Sequence, residues 1–339
     1  MTILVTGGAG YIGSHTVHEL TDQGEKVVVL DNLSTGFRFA LPKSVPLVVG
    51  EAADQALVTN LVERHKVDSI IHFAGSIVVP ESVADPLGYY LNNTVTSRAL
   101  IEAAVKSGVK NFVFSSTAAV YGDQDHSPVS EDARKEPLSP YGSSKLMTEV
   151  MLRDVSRAHD LRHVILRYFN VAGGDPKLRT GQSTPAATHL IKLASQAAIG
   201  LRPALSVFGT DYPTPDGTCI RDYIHVTDLA RAHSSAIRHL RAGGHSDTFN
   251  CGYGRGSSVL EVLEAIRRVS GLSIEVNLTG RRPGDAASLV ADVTRIRATL
   301  DWEPEYDNLD TIVTHALAWE IRLAANPEHP AADEATVAA

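Results

Sequence analysis

Thr2-Ile3-Leu4-Val5-Thr6-Gly7-Gly8-Ala9-Gly10-Tyr11-Ile12-Gly13 decides the fold. Its first five residues are apolar or β-branched and read as a short buried strand. The glycines that follow fit two spacings, Gly8-x-Gly10-x-x-Gly13 and Gly7-x-x-Gly10-x-x-Gly13. Residues 14–23 then read as a helix, stopped by Gly24. A lone glycine motif is a weak signal, but between a strand and a helix it has the context of a dinucleotide site. Glycine lets the backbone approach a pyrophosphate, and the helix start adds amides with partial positive charge. Asp31 closes the next strand pattern, 18 residues after Gly13. A carboxylate there accepts a ribose 2′-hydroxyl and repels a 2′-phosphate, so NAD is expected rather than NADP.

Outward from this segment, strand patterns recur at 26–30, 46–49, 69–74, 111–116 and 163–168. Helical patterns at 56–65, 89–107 and 139–158 lie between them. Strands alternating with helices make βαβ units. The expected fold class is therefore α/β, a Rossmann-type doubly wound parallel sheet with a smaller α/β substrate-binding domain. Residues 1–170 form the expected NAD-binding domain, with segments from about 222–250 returning to it, and 171–325 the second domain. Loops are expected at 173–185 and 212–219, and helices at 228–240 and 259–269. The tail, 326–339, has two prolines and no apolar periodicity and is expected to be disordered.

Composition narrows the function classes. The chain has 339 residues, is 43% apolar and carries a net charge of −8. That balance disfavours nucleic acid and anionic membrane as partners. No run approaches the ~18 apolar residues of a membrane span, and no secretory leader pattern opens the chain. Cys219 and Cys251 are too few for a disulfide framework, so reduced thiols in a cytoplasmic protein are expected. The 14 histidines show no metal-ligand spacing, and no metal is expected.

Tyr141-Gly142-Ser143-Ser144-Lys145 sets a tyrosine and a lysine at i and i+4, on one face of a helix. A lysine so placed is expected to lower the phenol's pKa and make it a usable base. Ser115-Ser116-Thr117 closes the fifth strand pattern. Ligands bind beyond the carboxyl ends of such strands, so Thr117 is placed to hydrogen-bond a reacting oxygen.

With these segments in order, the chain resembles the extended short-chain dehydrogenase/reductases, and within them the UDP-hexose 4-epimerases. The resemblance runs from Met1 to about Trp319. Besides the glycine segment it rests on Leu30-Asp31-Asn32-Leu33, Ile71-His72-Phe73-Ala74-Gly75 and Val120-Tyr121-Gly122-Asp123. It rests further on Leu166-Arg167-Tyr168-Phe169-Asn170, Asp216-Gly217-Thr218 and Arg221-Asp222-Tyr223-Ile224-His225-Val226. It implies an isomerase that reversibly inverts C4 of UDP-glucose and UDP-galactose through a transient 4-keto sugar, with NAD as cofactor. The alternative is a 4-epimerase of another UDP-sugar: UDP-N-acetylglucosamine, UDP-xylose or UDP-glucuronate. It also implies a homodimer, paired through the helices at 89–107 and 139–158.

The resemblance assigns roles to single residues. Tyr141 becomes the base, with Thr117 beside it and Lys145 holding the tyrosine and the nicotinamide ribose. Gly7, Gly10, Tyr11, Ile12, Gly13, Asp31, Asn32, Ser34, Thr35, Gly36, Phe73, Ala74, Gly75, Asn92 and Phe169 line the NAD site, with Tyr141 and Lys145. Asn170, Phe208, Arg221, Arg282 and Asp285 grip UDP, and Leu289 walls the sugar C2 substituent. Three stretches depart from the family pattern. Ser76-Ile77 replaces a basic residue common after Phe-Ala-Gly. Gly50-Glu51-Ala52 replaces Gly-Asp-Ile/Leu. Ala187-Thr188-His189-Leu190 replaces the Pro-Asn-Asn-Leu sugar loop, leaving Thr188 or His189 to meet the sugar. Two other outcomes on the same scaffold are disfavoured. Sugar-nucleotide 4,6-dehydratases need an Asp-Glu pair where this chain has Ala118-Ala119. NAD(P)-sensing proteins commonly lack the tyrosine or the lysine.

Overall fold

The computed structural model describes residues 1–184, 187–282 and 285–326. β1 (Thr2–Thr6) is wholly buried and feeds through the glycine turn into α1 (Tyr11–Asp22). The helix starts earlier than the expected residue 14, because Gly10, extended at φ −76° and ψ 178°, already serves as its N-cap. There follow β2 (Val27–Asp31), β3 (Leu47–Val49), α2 (Gln55–His65), β4 (Val67–His72), α3 (Val79–Ala84) and α4 (Pro86–Tyr89). Then come α5 (Thr96–Lys106), β5 (Asn111–Thr117), α6 (Pro140–Ala158), β6 (Arg162–Tyr168) and β7 (Asn170–Ala172).

The expected helix over 89–107 is not continuous. Residues Tyr90–Val95 form a π-turn between α4 and α5. Such turns widen the helix by one residue and shift the register of everything before them. The start of α6 is better marked. Ser139 Oγ accepts the Gly142 amide at 3.2 Å, and Pro140 fits the first turn, where its missing N–H costs nothing. Tyr141 is thereby held at the head of the helix.

After β7 the chain continues through α7 (Leu190–Ala198), β8 (Leu205–Phe208), β9 (Ile220–Arg221), β10 (Tyr223–His225), α8 (Val226–Arg241) and β11 (Asp247–Cys251). The remaining elements are β12 (Ser257–Ser258), α9 (Val259–Ser270), β13 (Val276–Thr279), β14 (Ser288–Leu289), α10 (Thr294–Thr299) and α11 (Leu309–Ala324).

The central sheet has seven parallel strands in the order β11-β6-β5-β4-β1-β2-β3. The order reverses between β1 and β4, which opens a crevice at their carboxyl ends. Side chains alternate between two core layers, as a sheet covered on both faces requires. Val5, Val29, Ile71, Val113 and Val164 pack with α1 and α8 on one side. Leu4, Val28, Ile70, Phe112, Phe114 and Ile165 pack with α2, α5 and α6 on the other. The first layer continues through Val171, Ile191 and Val313 into the second half of the chain. There the small sheets β10-β7, β12-β9-β14 and β13-β8 carry Asn170, Phe208, Arg221 and Leu289.

The expected disordered tail lies outside the described residues except for Asn326. Among the described residues no helix is long and apolar enough to cross a membrane. Nor does any group of three or more His, Cys, Asp or Glu among them suit a metal ion. Cys219 and Cys251 are buried and free.

Candidate functional site

The glycine turn leaves no room for side chains. Gly7 has φ +70°, and a Cβ there would lie 2.5 Å from the Ala74 nitrogen. A Cβ on Gly13 would lie 2.2 Å from the Gly7 carbonyl oxygen. The first amides of α1 therefore stay open to a ligand, since no helical carbonyl reaches them. Asp31 is buried at the end of β2. Its carboxylate accepts the Ala9 amide at 2.8 Å and the Leu33 amide at 2.8 Å. Burial raises its pKa, and those amides pull against the rise. Each carboxylate oxygen keeps a lone pair for a ribose hydroxyl. The cradle and the carboxylate fit NAD.

The rest of the expected cofactor wall gathers here. Gly36 packs so close that a Cβ would stand 2.9 Å from Ala9, which lays the exposed Ser34 and Thr35 beside the turn. The Tyr11 hydroxyl donates to the Gly173 carbonyl at 2.7 Å, tying the turn to the loop after β7. Ile12 packs on the core, Phe169 is buried within it, and the Phe73 ring lies 4.7 Å from that of His233. Asn32 donates its amide to Glu51 at 3.2 Å, so the departing Glu51 joins this rim.

Asn92 is not the asparagine that faces inward. It is exposed and donates to Ser76 Oγ at 2.8 Å. Asn93 is buried, clamps the Ser76 backbone and reaches Ser144 Oγ at 3.0 Å. The two neighbours sit in the π-turn, which sets which of them is buried. Ser76 is held by both asparagines, while Ile77 is 52% exposed.

Thr117, Tyr141 and Lys145 are all buried at the carboxyl end of β5 and the head of α6. Thr117 Oγ1 accepts the Ala119 amide at 3.1 Å, which leaves its proton for the Tyr141 oxygen. Lys145 Nζ donates to the Ser115 carbonyl at 3.2 Å and lies 5.0 Å from the centre of the Phe114 ring. A Cβ on Gly75 would stand 3.7 Å from Lys145 Nζ, so the 73–75 loop borders the lysine. Burial pushes the Lys145 ammonium down to about 8. Burial also raises Tyr141, and only the Thr117 hydrogen bond opposes this. In the chain alone Lys145 is not among the groups that lower Tyr141, and its ammonium turns toward a carbonyl.

The expected sugar-nucleotide residues form two groups and three outliers. Arg221 on β9 reaches Asp285 at 3.4 Å and donates to the Ile220 and Ala286 carbonyls. Leu289 is half-buried on β14, in register with Arg221. The Arg282 guanidinium stacks 3.7 Å from the centre of the Phe208 ring. Asn170 opens β7 and donates its backbone N–H to the Asp222 carbonyl at 2.9 Å. Thr188 is exposed. His189 turns inward to Gln182 at 2.7 Å, and burial beside Lys192 pushes it down to about 4. It lines a narrow cavity with Lys192, Trp319 and Glu320.

Known proteins resemble this chain over nearly its whole length. A family model described as the NAD dependent epimerase/dehydratase family matches residues 3–252. A UDP-glucose 4-epimerase of Azospirillum brasilense is 59% identical over 318 residues, covering 94% of this chain and 91% of that protein. A UDP-glucose 4-epimerase structure from Stenotrophomonas maltophila, with bound NAD and formylated UDP-arabinopyranose, is 38% identical with a TM-score of 0.93. It aligns with 96% of this chain and 99% of its own. A UDP-Glc/GlcNAc 4-epimerase structure from Campylobacter jejuni is 47% identical with a TM-score of 0.83, covering 95% and 99%. The chain thus belongs to the NAD-dependent epimerase/dehydratase family.

Proposed function

We propose that this chain interconverts UDP-glucose and UDP-galactose by inversion at C4. The observation that carries this is the buried Thr117–Tyr141–Lys145 cluster at the strand ends, bordered by the 73–75 loop. Tyr141 takes the proton from the sugar 4-hydroxyl and later returns it. Thr117 donates to the phenol oxygen and favours its ionised form. Lys145 brings a positive charge to the same end of α6. When bound, NAD supplies the acceptor and donor of the C4 hydride. Arg221, Arg282 and Asp285 hold UDP, the guanidinium groups suiting a diphosphate and the carboxylate a ribose diol. The sugar itself is gripped less, so the 4-keto form can turn and present its other face. The reaction has no net redox change, so the cofactor stays bound.

The test is a panel of UDP-sugars assayed for 4-epimer formation without added nicotinamide. Turnover of UDP-glucose, with NAD and no NADP released on denaturation, is expected. A fully active preparation free of nicotinamide would contradict it.

Residues 1–170, with returning segments near 222–250, act as the NAD-binding domain, and 171–325 as the UDP-sugar domain. Two copies pair through α6 and the stretch running from α4 through the π-turn. Leu87, Leu91, Val95, Met147 and Val150 leave 42–78% of their surface exposed there. Sedimentation should give a dimer at micromolar concentration, and a monomer would rule the pairing out.

Leu289 sets sugar size beside C2. It is smaller than tyrosine but not small, so N-acetyl sugars should turn over weakly. A misfit of one or two methylenes costs ~1–3 kcal/mol, roughly 10–200-fold in kcat/KM. Leu289→Tyr should abolish N-acetyl turnover and spare glucose, while Leu289→Ala should narrow the gap. An unchanged ratio in both variants would make Leu289 a core residue only.

A further inference from the structure

A buried polar chain runs beneath the cofactor loop, and the proposed mechanism does not use it. Thr6 ends β1, His72 ends β4 and Phe114 lies midway along β5, in lateral register on one face of the sheet. Thr6 Oγ1 meets His72 Nδ1 at 2.7 Å, and His72 Nε2 meets Ser97 Oγ at 2.9 Å. Ser97 Oγ donates to the Asn93 carbonyl at 2.5 Å. Thr6, His72, Asn93 and Ser97 are all buried.

The polarity of this chain has one solution. Ser97 gives its only proton to Asn93, so it accepts from His72, which places the histidine proton on Nε2. His72 Nδ1 then accepts the Thr6 hydroxyl. The neutral form is enforced, since burial and the nearby Lys145 push His72 down to about 3. The ring also stacks on Phe114, with centroids 5.8 Å apart, and Lys145 lies over that same ring.

The chain ends on the π-turn, where wider winding changes which amides a carbonyl can meet. Ser97 holds the Asn93 carbonyl, so the Asn93 side chain can reach out of the helix. Its Oδ1 accepts the Ser76 amide at 2.8 Å, and its Nδ2 donates to the Ser76 carbonyl at 3.0 Å and to Ser144 Oγ. The other end of the same loop is held by the Thr6 carbonyl, which accepts the Phe73 and Ala74 amides. The residues that hold the two ends of the 73–76 loop, Thr6 and Asn93, are thus the two ends of one hydrogen-bonded path through His72.

We propose that His72 and Ser97 are positioning residues that lock the π-turn and so set the 73–76 loop against Lys145 and the nicotinamide half of NAD. This rests on the cofactor assignment above, and its measurement is independent of which residue is the base.

The test uses the NAD-loaded protein and the variants Ser97→Ala, Ser97→Thr, His72→Phe and the double variant Ser97→Ala/His72→Phe. NAD release is followed by exchange against labelled NAD, the Ser76 amide by hydrogen exchange, and turnover by kcat and KM. Ser97→Ala and His72→Phe should release NAD about tenfold faster, the scale of one lost buried hydrogen bond. Their kcat should fall by a similar factor with KM for UDP-glucose little changed, and the Ser76 amide should lose protection. Ser97→Thr keeps the hydroxyl and should restore the wild-type release rate. The double variant should be no worse than the worse single one, because both break the same path. Lower Tm with wild-type NAD release and Ser76 protection would overturn the proposal. If His72→Phe does not fold, Ser97→Ala and Ser97→Thr carry the same two outcomes. A Tyr141→Phe protein that stays active would sink the catalytic assignment while leaving the release rates to decide this one.

Discussion

Tyr141→Phe should keep its fold and its NAD and lose about 10²–10⁴-fold in kcat, the usual contribution of a positioned general base. Only the hydroxyl is removed, and the ring still packs where Tyr141 is buried. The burial that raises the tyrosine's pKa also strengthens its hydrogen bond from Thr117. Deprotonation therefore needs positive charge to arrive with the cofactor and with Lys145, whose own ammonium is held down to about 8. Loss of that proton route leaves binding intact, so kcat should fall and KM should move little. Steady-state rates beside NAD content and Tm check this. A variant within tenfold of wild type would place the base on another residue.

Glu149→Leu should cost about 3–5 kcal/mol of stability, the scale for stranding a buried charge. Glu149 lies on α6 on the face that carries Tyr141 and Lys145, and its carboxylate is 0% exposed. Both oxygens face Arg167 of β6, at 2.9 and 2.6 Å, and Ser116 of β5 donates at 2.6 Å. Arg167 also donates to the Tyr121 hydroxyl and the Glu131 carbonyl. Removing the carboxylate leaves the guanidinium, 1% exposed, without its counter-charge. The double variant Glu149→Leu/Arg167→Met should recover most of the loss, because an apolar pair of similar volume removes both desolvation penalties. Thermal and denaturant unfolding measure both. A single variant within about 1 kcal/mol of wild type would show the pair to be dispensable.

Local pattern carried the reading of the fold a long way. Glycine spacing, β-branched runs and the Ser139-Pro140 start are short-range features, and each has a direct backbone cause. The strand before the glycines, the acid at the end of β2 and the Tyr141–Lys145 spacing are legible for that reason. The family resemblance then supplied the sugar-nucleotide residues, which lie on short strands and loops with no periodicity of their own.

Tertiary structure decided the rest. Asn92 and Asn93 are neighbours of one residue type, and only the π-turn selects which faces inward. His189 could serve a sugar by sequence, yet packing draws it to Gln182. Lys145 could lower Tyr141 by spacing, yet its ammonium turns to the Ser115 carbonyl, and burial governs both groups. The Arg167–Glu149 pair and the Thr6–His72–Ser97–Asn93 path join residues far apart in the chain. A sequence by itself determines which groups are present and the local backbone they prefer. Which of them meet, and at what cost in desolvation, depends on distances and burial that exist only once the layers close.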